Sequence, residues 1–247
     1  MISNGMAGLL RTLRRRGTGD PAQACARVLG ADGVVLSMLP AGDRMPEPLW
    51  CHPELSARFE ELQFTLGEGP GPDAVRTGAP VVEPDLDRVR SERWPALLPA
   101  ARELGVHGVC CFPLGIGAIR VGVLTVLCDG NRRLSEQQYA DATALTAALT
   151  GAFLNGAPPR EGRNGDVPGS GGFPEWPSGL HRAAVHQATG MVSVQLGVSM
   201  DIALLRLRAH AYASGRPLGE VAQDVVARRL RFDDDVNGPY SPGGGKG

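Results

Sequence analysis

Seven arginines fall between Leu180 and Phe232, at positions 182, 206, 208, 216, 228, 229 and 231, against only Asp201, Glu220 and Asp224. That stretch carries +4 while the chain as a whole carries −1, so the remainder is −5. Guanidinium groups clustered on an otherwise acidic chain suit the binding of phosphates, through charge-assisted hydrogen bonds and counterion release. The same residues also fit solvated helix faces, and charge alone does not choose between the two. Other chemistry is thinly represented. The chain has no H-E-x-x-H, no C-x-x-C and no G-x-S-x-G, so zinc proteolysis, dithiol redox chemistry and a nucleophile elbow lack their usual spacing. His52 and His107 are candidate ligands or ordinary structural histidines. Cys110 and Cys111 are adjacent on an expected strand, which sends their thiols to opposite faces and keeps them from pairing with each other. No metal, cofactor or catalytic residue is expected.

The basic stretch reads as three short helices. The first runs from about Gly179 to Leu196, with Ser178 as its N-cap and Gly197 as its stop. The second follows Ser199, another cap, carries Asp201 in its first turn and ends near Gly215. The third opens at Pro217 and Leu218 and closes in Arg228-Arg229-Leu230-Arg231. An apolar stripe at 3.6 spacing is assigned to each: Leu180, Ala184, Ala188, Met191, Val194; then Ile202, Leu205, Ala209, Tyr212; then Leu218, Val221, Ala222, Val225. Tyr212 is thereby expected in the core. Three such stripes with short connections fold most simply as a bundle. Gly190 inside a helix costs about 1 kcal/mol against Ala, which suggests close backbone contact with a neighbouring helix or with a ligand.

The run Ala188-Thr189-Gly190-Met191, followed by Ala203, Leu207-Arg208, Ala211, Leu218 and Val221-Ala222, resembles the ANTAR family, RNA-binding domains of bacterial transcription antitermination regulators. The resemblance implies a three-helix bundle that grips paired hairpins of a nascent transcript and blocks a competing terminator. Thr189 stands where many members have Lys, and Leu204 where many have an aromatic. On this reading Arg206, Arg208, Arg228 and Arg229 supply phosphate contacts, while Ala188, Thr189 and Gly190 mark where the RNA loop comes near.

Upstream, Leu9 to Arg16 is a basic amphipathic segment that could continue across Asp20-Pro21, an N-cap and N1 pair, into a helix at Ala22 to Leu29. From Asp32 the period changes to two. Strands are expected at Val34 to Met38, Leu49 to His52, Val81-Val82, Gly105 to Leu114 and Ile119 to Cys128, the last two joined by Gly115-Ile116-Gly117-Ala118. Helices are expected at Glu54 to Phe64, in the stretch Leu66 to Val75, where a Gly/Pro loop runs into a short helix that ends at Gly78, at Ser91 to Leu104 and at Leu134 to Leu154, the last capped by Ser135. The loop lacks the Gly-Lys-Ser/Thr of a phosphate cradle, and Glu68 would repel an anion. This order of elements, with LGEGPGPDAVRTGAPVVEPDL and the terminal strand pair, is similar to a GAF domain over about Asp20 to Leu154. That likeness implies a small-molecule sensor or dimerisation unit. Gly71 stands where related sequences often have Cys.

The expected organisation is α+β: a basic helix at 1–19, a GAF-like antiparallel sheet with helices on both faces at 20–154, a flexible Gly/Pro linker at 155–178, an ANTAR-like all-α three-helix domain at 179–232 and a disordered tail at 233–247. No apolar run reaches the roughly 18 residues of a membrane span. The N-terminus places its basic cluster after its leucines, unlike a secretory signal, and five cysteines without a framework spacing agree with a reducing compartment, so a cytoplasmic protein is expected. The function expected is a signal-responsive RNA-binding antiterminator acting as a homodimer, with RNA stem-loops and a small molecule at the sensor as partners. The alternatives are a sensor-linked DNA-binding or protein-docking regulator and a thiol-based GAF reductase of free methionine sulfoxide.

Overall fold

The computed structural model describes residues 1–14, 19–39, 46–129, 133–155 and 180–232. The expected linker beyond Asn155, the tail, the Ser178 cap and the arginines at 15 and 16 lie outside them. The chain divides into two compact units, Met1–Ser178 and Gly179–Gly247.

The first unit is built on a five-stranded antiparallel sheet: β1 (Gly33–Met38), β2 (Glu47–His52), β3 (Val81–Glu83), β4 (Gly108–Ile116) and β5 (Ile119–Cys128), in the order β2-β1-β5-β4-β3. The central strands β1, β4 and β5 are buried almost throughout, which is why their sequences are apolar at successive positions rather than alternating. On one face α1 (Asn4–Arg14), α2 (Pro21–Leu29) and α6 (Glu136–Asn155) cover Leu36, Cys110, Phe112, Leu124 and Val126. On the other, α3 (Glu54–Leu66), α4 (Pro70–Thr77) and α5 (Leu97–Leu104) cover Val109, Cys111, Val123 and Leu127. Fold class and layering are therefore as the sequence pattern implies.

Several local expectations change. α1 and α2 are separate helices, because Asp20 accepts hydrogen bonds from the Ala22 and Gln23 amides at 2.8 and 3.2 Å and so begins a new helix. α1 buries Met6 and Leu9 in the sheet core and is tied to α6 by the Ser3 amide on Asp141 at 2.8 Å. The helix expected from Ser91 begins only at Leu97; residues before it form turns, and a 3₁₀ turn occupies Leu86–Arg88. The β4–β5 connection is tighter than expected: Gly115 and Ile116 still pair with Arg120 and Ile119, leaving Gly117, at φ +59°, to turn the chain. Ser135 does cap α6, its hydroxyl accepting from the Gln138 amide while the Gln138 side chain accepts from the Ser135 amide, a reciprocal box. Of the α6 stripe, Ala142, Leu145 and Leu149 are buried, whereas Tyr139, Ala152 and Phe153 are exposed.

The second unit is the three-helix bundle α7 (Leu180–Leu196), α8 (Met200–Ser214) and α9 (Leu218–Val226). Gly197 and Gly215, at φ +63° and +64°, end the first two helices. Ser199 occupies the N-cap of α8 but makes no side-chain cap hydrogen bond. α9 stops before the basic run: Arg228 adopts φ +60°, and the amides of Arg228, Arg229 and Leu230 fold back onto the carbonyls of Val225 and Asp224. The arginines thus sit beyond the helix rather than in its last turn.

Two of the three stripes are corrected. α9 buries Leu218, Val221, Ala222 and Val225 as expected. α7 turns Val185, Ala188 and Val192 inward, while Val194 is 84% exposed. α8 packs through Ala203, Leu207 and Ala211, and the expected stripe of Ile202, Leu205, Ala209 and Tyr212 faces away from the bundle. Tyr212, 76% exposed, is not a core residue. The cause is that α8 offers apolar residues all round. When two opposite stripes both satisfy the period, the pattern names neither, and the smaller one packs because alanines let helix axes approach.

Candidate nucleic-acid interface

The seven arginines of the bundle have different fates. Arg182 is buried and Arg208 half-buried. Arg216 and Arg229 converge on Asp224, with contacts of 2.7 Å from the Arg216 guanidinium and 2.8 and 2.6 Å from that of Arg229. These two hydrogen bonds, Arg216 first, hold the Asp224 carboxyl below its ordinary range. The pair ties the residues just before and just after α9 to Asp224 near that helix's C-terminal end, and the Phe232 amide on Gln195 with the Phe232 ring edge-on to His210 at 5.5 Å fastens the following segment to α7 and α8. Arg206, Arg228 and Arg231 are exposed and make no ion pair among the described residues. They are the cations with the most freedom to meet a phosphate.

The Ala188-Thr189-Gly190 run is divided by the helix. Ala188 and Thr189 are buried, and the Thr189 hydroxyl donates to the Val185 carbonyl at 2.7 Å. Gly190 sits half-exposed, and a Cβ built on it meets nothing within 4 Å. The expected close approach to a neighbouring helix is therefore absent among the described residues, and the Cβ position of Gly190 faces open space. Of the seven residues singled out in the sequence, the structure leaves Arg206, Arg228 and Gly190 accessible, half-buries Arg208, engages Arg229 with Asp224, and encloses Ala188 and Thr189. Tyr212, which periodicity placed in the core, joins the accessible set as an aromatic able to stack.

In the first unit the side chains that could have been a ligand site satisfy one another. Glu60, 4% exposed, accepts from the Ser37 hydroxyl at 2.8 Å and the Gln63 amide at 3.1 Å, and Gln63 in turn accepts from the Gly71 amide at 2.7 Å. A Cβ at Gly71 would lie 3.0 Å from that Gln63 oxygen, so the glycine lets the first turn of α4 sit against the network. Glu68, expected to repel anions, instead accepts from the amides of Ala96 and Leu97 at 2.8 and 2.9 Å and thereby caps α5 from across the loop. No local pattern announces that contact, because the two segments are 28 residues apart. His52 lies 3.7 Å from Asp20, and His107 is exposed. No group of three potential metal-binding side chains occurs among the described residues.

The surroundings of Cys25, Cys51, Cys110 and Cys111 all favour the protonated thiol. Burial pushes Cys25 up to about 12, raises Cys111 further, and raises Cys51 with help from Asp20 and Glu60. Cys110 is raised by its hydrogen bond to Cys128 and then by burial. A thiol held protonated is a poor nucleophile. No single helix among the described residues is long and apolar enough to cross a membrane.

Comparisons with known proteins bear on both units. No curated protein matches the sequence. The chain is similar to solved structures: the GAF domain of a phosphoenolpyruvate-protein phosphotransferase from Coxiella burnetii is 18% identical, with 62% of this chain and 95% of that chain covered and a TM-score of 0.46. A GAF domain of an Acinetobacter phosphoenolpyruvate-protein phosphotransferase is 15% identical over 63% and 99%, with a TM-score of 0.45. Residues 180–226 match the model of the ANTAR domain. These are the residues of α7, α8 and α9, and the chain thus carries an ANTAR domain behind an α+β unit.

Proposed function

We propose that this protein is a cytoplasmic, dimeric regulator of transcription termination, in which the ANTAR domain holds stem-loops of nascent transcripts and the N-terminal unit is a GAF-like sensor and dimerisation module. The observation that carries the reading is the ANTAR match over 180–226, laid on a bundle whose accessible cations are Arg206, Arg228 and Arg231. Phosphate contact falls to these, with Arg208 at the margin and Arg229 joining by exchanging Asp224 for a phosphate oxygen. Gly190 gives the RNA loop a place to approach backbone, and Ala188 and Thr189 hold the helix that presents it. In the sensor, α1 and α6 are the dimer elements: they pack on each other and present Arg11, Arg14, Tyr139, Phe153 and Leu154 to the outside. A small molecule entering between α3, α4 and the sheet would have to replace the Ser37–Glu60–Gln63–Gly71 bonds, which gives binding a means of moving α4.

The test is titration of the full chain with hairpin RNA and with duplex DNA across a salt series. Hairpin RNA is expected to bind more tightly, with log K falling linearly in log salt. Arg206→Ala or Arg228→Ala should each make the slope shallower by about 0.7 to 0.9, the share of one phosphate. Equal affinity for duplex DNA, or a slope unmoved by both variants, overturns the reading.

A further inference from the structure

The outward stripe of α8 is an apolar surface that the phosphate contacts do not use. Ile202, Leu205 and Tyr212 are 46%, 62% and 76% exposed, and Ala209 is exposed between them. They point opposite to Ala203, Leu207 and Ala211, the residues that hold α8 in its bundle. Their spacing of three, four and three residues is that of the a and d positions of a coiled coil. Val198, half-buried just before the helix, falls on the d position one heptad earlier.

We propose that this stripe pairs with the same stripe of a second copy of the chain, α8 against α8 in parallel about a twofold axis. Three features of the helix point to that occupant. Ile202, Leu205 and Ala209 are aliphatic, offering a phosphodiester chain no donors, whereas they pack well against themselves. Ala209 at the central a position lets the axes approach. Flanking charge then selects the orientation. With Ile202 at a, Arg206 is an e residue. A parallel pair keeps the two copies of Arg206 on opposite flanks of the seam, each left open to a phosphate. An antiparallel pair sets Arg206 against Arg206. Like charges in that place disfavour it.

A seam of two heptads is weak alone. This proposal rests on the dimeric sensor of the preceding subsection, which tethers two bundles and converts their association into an intramolecular event at millimolar effective concentration. The pairing would fix the spacing of the two RNA-binding surfaces, so that hairpins at one separation are preferred.

The test uses the full chain with Cys51→Ser, which removes the exposed native thiol, and adds Ile202→Cys or Tyr212→Cys. A parallel seam brings each new thiol beside its own copy. Mild oxidation should give disulfide-linked dimer at least tenfold faster than Glu220→Cys, an exposed control on α9, and Leu205→Glu should suppress the linking tenfold. An antiparallel pair separates the two copies of position 202 by about ten residues of helix, roughly 15 Å, and would link only a mixture of the two variants. Light scattering on the same samples separates the two failures. A dimer with no self-linking above control overturns the seam and leaves the dimeric sensor standing; a monomer at micromolar concentration overturns both. If Leu205→Glu lowers hairpin affinity tenfold and leaves linking unchanged, the stripe belongs to RNA, with Tyr212 stacking on a base, and the seam is overturned.

Discussion

The two units enclose side chains of different size. In the first, Trp94, Phe59, Phe64, Phe112 and Met6 are fully enclosed, and even its interior polar groups, Ser37, Glu60 and Gln63, are bonded to one another. In the ANTAR bundle the largest fully enclosed side chain is Leu207, the rest of the core being Val and Ala with Leu218, while Ile202, Leu205, Val194 and Tyr212 stand in solvent. A sheet covered on both faces has volume to fill. Three short helices drawn together by alanines have little, so their bulky residues are left on the surface, where they are available to partners. The comparison also implies that the bundle, about 50 residues, is the less stable unit, since small domains bury a smaller share of their surface.

The sharpest way to break that contrast is the same cut in both units. Leu207→Ala and Leu145→Ala each remove a fully buried leucine and should each cost about 2 to 5 kcal/mol. In a thermal melt of the full chain Leu207→Ala should abolish the bundle's transition, while Leu145→Ala only lowers that of the first unit. Equal shifts would show the bundle to be as robust as the sheet unit. Next in size is Glu68→Ala, which uncaps α5 and should cost about 1 kcal/mol, read as a lower denaturant midpoint for the first unit only. A smaller loss is expected from Glu68→Gln, which keeps an acceptor.

Gly190→Ala sharpens the bundle's side of the comparison because its two effects have opposite signs. With nothing within 4 Å of the new methyl, the helix should gain about 1 kcal/mol, while hairpin affinity falls if backbone approach at this position matters. Arg228→Gly should also stabilise, by about 1 kcal/mol, since it releases a left-handed side-chain residue, and it isolates that gain from the lost cation when compared with Arg228→Ala. The smallest effect concerns pH. Asp224 is held below its ordinary carboxyl range by Arg216 and Arg229, so its contribution is present above the unfolded value near 3.8 and is lost as pH falls through the lower folded value. Circular dichroism across pH 5 to 2 should show the bundle loosening in acid less in Asp224→Asn, which has no such contribution to lose.

Much of the architecture was legible because it is local or periodic. The buried runs of β1, β4 and β5, the Asp20 and Ser135 caps, and the glycines 197 and 215 that stop helices are read from neighbours in sequence. The α8 stripe was misread because periodicity gives a direction only when one face is apolar, and α8 has two. The Glu68 cap, the Glu60 network and the Asp224 clamp were not legible, since each joins residues whose meeting depends on how helices pack.

By itself the sequence determined the α+β and all-α division, the basic character of the second unit and the residues 188–191 that mark it as ANTAR, since propensity, charge and motif are properties of neighbours along the chain. Only the tertiary structure decided which arginines face outward, that Gly190 borders open space and that α8 keeps its larger apolar side exposed. Those depend on which of several equally periodic surfaces packs, and close approach of helix axes at alanine settles that in three dimensions.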